Sequence, residues 1–176
     1  ITRAISKSEI DLNKNYENLR YEGFGPYNVA LIIETLTENK NRTASNIRTI
    51  LQKSGGRRGE TGSTTHYFFS CGVLHVAKDK ISDEKIFELS INAGAKDCLS
   101  NSEYHEILTE REDFYKIKNE IEIKTGGFLY SGIEWRPQIY LNIVKEESDA
   151  IIKILETLEE DDDIQNTFVN CNIHTS

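Results

Sequence analysis

Six basic side chains lie within nineteen residues of an otherwise acidic chain, and such a concentration of cations can bind phosphate groups. They are Lys40, Arg42, Arg48, Lys53, Arg57 and Arg58. Guanidinium groups donate paired hydrogen bonds that match the oxygens of a phosphate, and contacts of this kind position proteins on a nucleic-acid backbone. The cluster therefore predicts a nucleic-acid-binding site in residues 40–58.

The glycine-rich segment that contains two of these arginines does not have the form of a nucleotide-binding loop. It runs GGRRGETGS from Gly55 to Ser63 and matches neither GxxxxGK[ST] nor GxGxxG. A phosphate loop leaves a strand and opens a helix, so that the helix N-terminus faces the anion, whereas this segment follows a predicted helix and precedes a predicted strand. We interpret it as a mobile basic loop, and the alternative is a solvated loop whose arginines serve solubility.

The residue types that carry out catalysis or bind metals show no suitable spacing. The four histidines contain no HxxxH pair, the three cysteines contain no CxxC pair, and GxSxG is absent. We therefore expect a protein that is not an enzyme, with no catalytic residues, no metal and no cofactor, and with buried free cysteines. The alternatives outside nucleic-acid binding are an undetected enzyme and a protein-interaction module.

The elements that must position the basic residues follow from the hydrophobic pattern. Residues 16–23 and 28–37 read as a hairpin around Gly25-Pro26, since proline cannot donate to a strand ladder. A helix follows, capped by Asn41 or Thr43 and ended at Ser54-Gly55-Gly56. Strands are then predicted at 63–69 and 72–77, on either side of a tight turn.

From Val73 onward the predicted order is strand, helix, strand, strand, helix, strand, which is the split βαβ arrangement called ferredoxin-like. The two helices are predicted at 83–93, with Ser82 as the N-cap, and at 111–124. A further helix at 146–160 and a strand at 164–169 would crowd the finished ferredoxin-like unit. We therefore expect both to return to the first domain, which makes the ferredoxin-like unit an insertion.

Charge is divided unevenly along the chain. The net charge is −8, but residues 1–70 carry ten Lys or Arg against seven Asp or Glu, while residues 71–176 carry eleven against twenty-two. A basic face can therefore coexist with an acidic body. No apolar run approaches the roughly 20 residues that span a bilayer, and residues 1–12 lack the apolar core of a signal peptide. We expect an intracellular protein with no membrane partner.

The assembled motifs resemble, in order and spacing, the signature of the YebC family, which includes the mitochondrial translational activator of cytochrome c oxidase. They are YEGFGP at 21–26, LTENKNRT at 36–43, Gly55-Gly56, Gly62-Ser63 with Phe68, Gly72-Val73, and DIQN at 163–166 with Phe168 and Asn170. The match covers nearly the whole chain. The chain departs from the pattern where Tyr27-Asn28 replaces a glycine-rich turn and where Arg57-Arg58 makes the loop more basic.

This resemblance implies an α+β fold with two α/β-sandwich domains, a ferredoxin-like βαββαβ domain being inserted into a first α+β domain. It assigns residues 1–14 to the remnant of an N-terminal helical bundle. The first domain then comprises 15–70 and 145–176, and the inserted ferredoxin-like domain comprises 71–144.

The resemblance also implies a non-enzymatic role in gene expression. Members of the family are described as DNA-binding transcriptional regulators and as ribosome-associated factors that support translation. Because the acidic balance disfavours binding to free duplex, we rank RNA of the ribosome first as the partner and duplex DNA second. We expect a monomer, cytoplasmic in a bacterium and in the mitochondrial matrix or another organelle in a eukaryote.

Overall fold

A computed structural model describes residues 14–173, which form eight strands and four α-helices. The strands are β1 (Glu17–Phe24), β2 (Ala30–Thr37), β3 (Arg57–Gly59), β4 (Phe68–Ala77), β5 (Asp97–Ser100), β6 (Tyr104–Glu110), β7 (Tyr130–Pro137) and β8 (Ile164–Val169). The helices are α1 (Lys40–Lys53), α2 (Asp83–Ala93), α3 (Phe114–Thr125) and α4 (Lys145–Glu159). The α+β fold class predicted from the sequence is confirmed. The predicted helical remnant, apart from its last residue, lies outside the described residues.

The described chain divides into two compact units. The first consists of residues 14–69 and 136–173, and the second of residues 70–135. The second unit thus ends at Trp135 rather than at 144, because the segment after β7 bonds to the first unit. The amides of Gln138 and Ile139 donate to the carbonyl of Tyr67, and Leu141 forms a bridge with Cys171.

The first unit is a four-stranded sheet of order β3-β1-β2-β8 with α1 and α4 packed on one face. The pairing of β8 with β2 confirms that the last helix and strand return to the first domain. Side chains alternate along a strand, so β2 sends Leu31 and Ile33 into the core beneath the helices. There they meet Ile47 and Leu51 of α1 and Ile151 of α4, all fully buried. This core fixes α1 against the sheet.

The predicted hairpin of β1 and β2 is present, with Tyr21 opposite Ile33. Its connection is a short 3-10 turn at Pro26–Asn28, where Tyr27 and Asn28 have φ angles of 65° and 63°. The left-handed region is rarely occupied by residues other than glycine. The fold therefore retains at Tyr27-Asn28 the conformation that a glycine-rich turn adopts without strain.

The second unit is a sheet of order β5-β6-β4-β7 with α2 and α3 in the chain order of a ferredoxin-like unit. Its core contains Leu74 and Ile107 from the sheet and Ile86 and Ile117 from the helices. The side chain of Ser82 accepts a hydrogen bond from the amide of Lys85, which confirms the predicted N-cap of α2. The ferredoxin-like arrangement predicted from the sequence is therefore present.

Three local predictions differ from the structure. The N-cap of α1 is Asn39, whose side chain accepts from the amide of Arg42, rather than Asn41 or Thr43. Of the strand predicted at 63–69, residues 63–67 form a turn with a 3-10 segment, Thr65–Tyr67, and only Phe68 and Phe69 are extended. The turn predicted before Gly72 is the interior of the continuous strand β4. Gly72 is required there for packing, since a Cβ atom at this position would collide with Thr109 and the ring of Phe114.

Candidate nucleic-acid interface

Arg42 lies between two carboxylates and is not available as a free cation. Its Nη2 atom donates to Asp163 Oδ1 at 2.7 Å, and its Nη1 atom donates to Glu38 Oε1 at 2.9 Å. Hydrogen bonds to Asp163 and, to a smaller extent, to Glu38 raise the pKa of Arg42 above its ordinary value. The side chain of Asp163 is 10% exposed, so Arg42 neutralises a largely buried charge. Its role in the structure is to tie α1 to the start of β8.

Thr43 completes this contact from inside the helix. Its hydroxyl group lies 2.8 Å from Asp163 Oδ2 and 2.8 Å from Thr37 Oγ1, and Thr43 is fully buried. The amide of Leu36 donates to the carbonyl of Asp163 at 2.8 Å. Two motifs that are more than a hundred residues apart in the sequence, at 36–43 and 163–166, therefore meet as one structural clamp.

Arg57 and Arg58 lie in β3, at the edge of the sheet, rather than in a mobile loop. Arg57 is opposite Phe24 and Arg58 is opposite Gly23 in the ladder with β1. The guanidinium carbon of Arg57 is 4.5 Å from the centre of the Phe24 ring, and that of Arg58 is 5.3 Å from the centre of the Tyr21 ring. Neighbouring strand residues point to opposite faces, so the two arginines flank the sheet edge.

The amides of the glycine-rich segment do hold an anion, and that anion is the carboxylate of Glu22. Its Oε2 atom accepts from the amide of Gly62 at 2.7 Å. Its Oε1 atom accepts from the amide and the hydroxyl of Thr64 at 2.8 and 2.9 Å and from the amide of Thr65 at 3.0 Å. Burial alone would raise the pKa of Glu22, but these hydrogen bonds outweigh it and lower that pKa. The amide of Gly62 and the donors of Thr64 and Thr65 are therefore used within the protein and are not available to a nucleotide phosphate.

The remaining predicted cations are distributed along α1. Lys40 begins the helix and Lys53 ends it, which places them about 20 Å apart at 1.5 Å per residue. Arg48 and Lys53 are about 140° apart around the helix at about 100° per residue. Leu51 of α1 packs against Gly23 of β1, and α1 also contacts β3, whereas Arg48 is exposed. The six residues thus do not form a single patch.

Lys53 borders a groove of about 470 Å³ between α1 and α4. The residues that line it are Thr49, Ile50, Lys53, Ser54, Ala150, Lys153, Ile154 and Thr157. The lining is mainly apolar, and the only charged side chains in it are the two lysines.

Five predicted cations remain available for an external anion. Lys40, Arg48, Lys53, Arg57 and Arg58 are exposed, and none forms an ion pair with another residue in the described range 14–173. Of these, we call Arg48, Lys53, Arg57 and Arg58 the basic rim, since they lie around the C-terminal half of α1 and the adjoining β3. Free guanidinium and ammonium groups on a rigid edge can contact successive phosphates of a nucleic-acid backbone.

His105 and the three cysteines are buried in the described part of the chain. Residues 14–173 contain no cluster of three metal-ligand side chains. His105 is fully buried and bonds to Ser100 and the carbonyl of Ile81, so its role is structural. The three cysteines are free and buried, as predicted, and burial raises the pKa of Cys171 to about 11. A thiol with such a pKa is a poor nucleophile.

Among the residues that the structure describes, no helix is long and apolar enough to cross a membrane.

The family model described as "TACO1/YebC second and third domain" matches residues 16–171. The chain belongs to this family. The resemblance recognised in its motifs is thereby confirmed.

Relatives and a solved structure agree with this assignment. The chain is 48% identical over 172 residues to a probable transcriptional regulatory protein of Pelagibacter ubique, covering 98% of this chain and 71% of that one. It is 43% identical over 173 residues to a probable transcriptional regulatory protein of Zymomonas mobilis, covering 98% of this chain and 70% of that one. A crystal structure of a conserved hypothetical protein from Aquifex aeolicus shares the fold with a TM-score of 0.81 and 32% identity, over 95% of this chain and 69% of that one.

The names of these relatives bear on the ranking of partners. They are regulatory proteins by name, not enzymes, which agrees with the prediction of a non-enzymatic protein. Both names refer to transcription, and neither refers to translation, the role that the charge argument placed first.

Sequence reasoning missed the residues that organise this surface. Glu22 and Asp163 lie within recognised motifs, yet nothing in their spacing shows that one holds residues 62–65 and the other holds Arg42. Tyr27 is 49% exposed in its left-handed turn beside the basic rim. The signal that could have found Tyr27 is its departure from the glycine-rich turn of the family.

Proposed function

We propose that this chain is a non-enzymatic regulator of gene expression that binds nucleic acid through the basic rim. The observation that carries the proposal is the environment of the Arg57 and Arg58 guanidinium groups. Each guanidinium is held over an aromatic ring, and neither is paired with a carboxylate of a described residue. Stacking on a ring leaves the N–H groups at the edge of the guanidinium plane free to donate to phosphate oxygens.

Lys40 is a second, separate point of contact at the far end of α1. Arg42 has no part in the proposed interface, because two carboxylates occupy its donors. The division between Arg42 and the other five cations is thus a division between a side chain that stabilises the fold and side chains that face solvent.

Duplex DNA is the first candidate target, as the names of the relatives support. Binding to a duplex depends mainly on neutralising phosphates and releasing counterions. A rim of four cations supports such binding without direct reading of bases.

RNA is the second candidate, and the charge distribution favours it. The chain carries a net charge of −8, and the excess of acidic residues lies in residues 71–176, whereas the basic rim belongs to the first unit. A long duplex would bring its phosphates near the acidic remainder of the protein, and like charges repel. A folded RNA such as that of the ribosome can present its phosphates to a local rim. In this case the protein would act in translation.

The test is the salt dependence of binding, measured by fluorescence anisotropy with a labelled DNA duplex and a labelled RNA hairpin. Each phosphate contact contributes about 0.9 to the slope of log K against log salt concentration on duplex DNA. The double substitution Arg57→Ala and Arg58→Ala should lower that slope by about 2. The charge-matched control is Lys116→Ala with Lys124→Ala, two exposed lysines of α3 in the second unit.

The control pair should leave both affinity and slope unchanged. The proposal fails if the wild type binds neither nucleic acid, or if both double variants lose affinity equally. The duplex and the hairpin together rank the two targets, because the tighter wild-type complex identifies the favoured one.

A further inference from the structure

The groove between α1 and α4 has the chemistry of a binding site for a flat apolar group that carries negative charge at its edges. Its walls include Ile50, Ala150 and Ile154, and its only charged lining residues are Lys53 and Lys153. Neither lysine forms an ion pair with another residue of the described range. The volume of about 470 Å³ falls within the range of roughly 300–1,000 Å³ typical of small-ligand sites.

The strained turn lies directly beside this groove. A Cβ atom at Gly25 would lie 3.3 Å from Ile151 Cδ1 and 3.8 Å from Ile154 Cδ1, so the turn packs against α4 where Ile154 lines the groove. Tyr27 is two residues further on and half-exposed. The turn also adjoins the end of α1, since a Cβ atom at Gly55 would lie 3.8 Å from Pro26 Cβ. The turn that contains Tyr27 is therefore packed against α4 and against the residue that follows Ser54 of the groove.

Tyr27 is exposed and has a left-handed backbone conformation, which glycine adopts more easily than tyrosine does. A bulky side chain in the left-handed region is strained, and strain of this kind is concentrated at functional sites in proteins. The half-exposed side chain of Tyr27 offers an aromatic surface to a ligand.

We propose that this groove binds an unpaired base of single-stranded RNA, with Lys53 and Lys153 on the flanking phosphates and Tyr27 stacked on a neighbouring base. The proposal rests on the proposed nucleic-acid binding and names the form of the target. Bases within a duplex are stacked and paired, so they cannot enter a groove between two helices. Unpaired bases can, and proteins that bind single strands combine aromatic stacking with cations along the backbone.

Charge supports RNA over an apolar protein segment as the occupant. A purely apolar partner would leave Lys53 and Lys153 at the groove without a counterion. A single strand supplies apolar bases and phosphates in alternation, which matches a lining that combines apolar side chains with two lysines. An acidic amphipathic helix is the competing occupant, and the test below includes it.

The first experiment fills the groove. Ala150→Trp places a large side chain in it, and Gln52→Trp is the control on an exposed position of α1 that does not line the groove. Fluorescence anisotropy is measured with a labelled single-stranded RNA of about ten nucleotides, the single-stranded DNA of the same sequence, and a fully paired RNA duplex. Ala150→Trp should weaken binding of the single-stranded RNA about tenfold, a loss of about 1.4 kcal/mol, and leave binding of the fully paired RNA duplex unchanged.

The control Gln52→Trp should bind all three probes as the wild type does. If Ala150→Trp does not fold, as judged by circular dichroism, the pair Lys53→Glu and Lys153→Glu takes its place with the same expected loss. Unchanged binding of single-stranded RNA in a folded groove variant overturns the proposal. So does tighter binding of the single-stranded DNA than of the RNA, or binding of an acidic amphipathic peptide that the RNA does not displace.

The second experiment locates the contact. RNA that contains 5-bromouracil is crosslinked by ultraviolet light, and the tryptic peptide of residues 21–40 is examined by mass spectrometry for the crosslink at Tyr27. Tyr27→Phe should retain binding and Tyr27→Gly should weaken it, while both variants remain folded. A crosslink elsewhere in the first unit with none at Tyr27 overturns the assignment of Tyr27.

The two proposals fail in different ways. If the wild type binds no nucleic acid at all, both are wrong. If the Arg57 and Arg58 variants lose binding but Ala150→Trp retains it with every probe, the basic rim is the interface and the groove is not.

Discussion

The contact of Glu22 with residues 62–65 yields a prediction whose size can be worked out. In the wild type, four donors converge on a carboxylate that is 2% exposed as a residue. Glu22→Gln keeps the size of the side chain but replaces one oxygen by an NH2 group. If the amide oxygen takes the place of Oε1, the NH2 group faces the N–H of Gly62, and two buried donors are then left without an acceptor.

The expected cost follows from these contacts. An unsatisfied buried donor costs about 1–3 kcal/mol, and hydrogen bonds to a charged group exceed those to a neutral one. The amide is less costly to bury than the carboxylate, which offsets part of the loss. We expect Glu22→Gln to lower the free energy of unfolding by about 2–3 kcal/mol, equivalent to a fall in melting temperature of roughly 5–10 °C.

The pH dependence gives the same prediction a sign. The pKa of Glu22 is lower in the folded protein than in the unfolded chain, where a glutamate side chain has a pKa of about 4.3. The stabilisation is therefore present above that unfolded pKa and is lost as pH falls through the folded pKa. The difference in stability between the wild type and Glu22→Gln should be greatest near neutral pH and should shrink in acid.

Urea denaturation followed by circular dichroism at several pH values measures this difference. Glu60→Gln, an exposed carboxylate in the same segment, is the matched control and should have little effect. Limited trypsin digestion provides a local readout, because a released segment should be cut faster after Arg57 and Arg58. The reasoning is refuted if Glu22→Gln is as stable as the wild type at neutral pH, or if the difference does not change with pH.

Three further substitutions test other contacts, each by thermal or urea unfolding. Arg42→Ala should cost about 1–3 kcal/mol, since Asp163 loses its cation while the partial exposure of Arg42 limits the effect; an unchanged stability would show that the clamp contributes nothing. Gly72→Ala should cost about 1–3 kcal/mol through overpacking against Phe114, and a neutral result would mean that the strand shifts easily. Tyr27→Gly should raise stability by about 0.5 kcal/mol, the relief of left-handed strain less the entropy of an added glycine; a marked loss would show that the exposed ring stabilises the fold.

The sequence predicted the larger elements well because their signals are local. The apolar run of β2 and the Gly-Pro turn before it predict the hairpin, and Ser82 predicts the start of α2. The predicted bounds of β8 coincide with the observed strand, Ile164–Val169. The topology could be predicted from chain order, because α4 and β8 follow a ferredoxin-like unit that is already complete and so must pack against the first domain.

Predictions failed where a residue has a distant partner. Gly72 is of a residue type that favours turns, but its pairing with Thr109 places it within a strand, and the ring of Phe114 leaves no room for a side chain there. Arg57 and Arg58 lie in a glycine-rich sequence that is typical of a loop, but their pairing with β1 makes them part of an edge strand. The guanidinium group of Arg42 is of a type that binds phosphate, but in the structure it is paired with the carboxylate of Asp163. In each case the deciding contact is between residues well separated in the sequence.

The motifs that identify the family therefore describe the fold better than they describe a ligand. Glu22, Thr43 and Asp163 are buried, and their polar groups are satisfied within the first unit. Residues of this kind cannot also bind a partner without breaking the structure. The residues free to do so are exposed ones, and two of the most informative, Tyr27 and Arg57, lie where this chain departs from the family pattern. In this chain, recognition of a target should accordingly depend on the turn at 26–28 and the strand at 57–59 rather than on the buried clamp at Asp163.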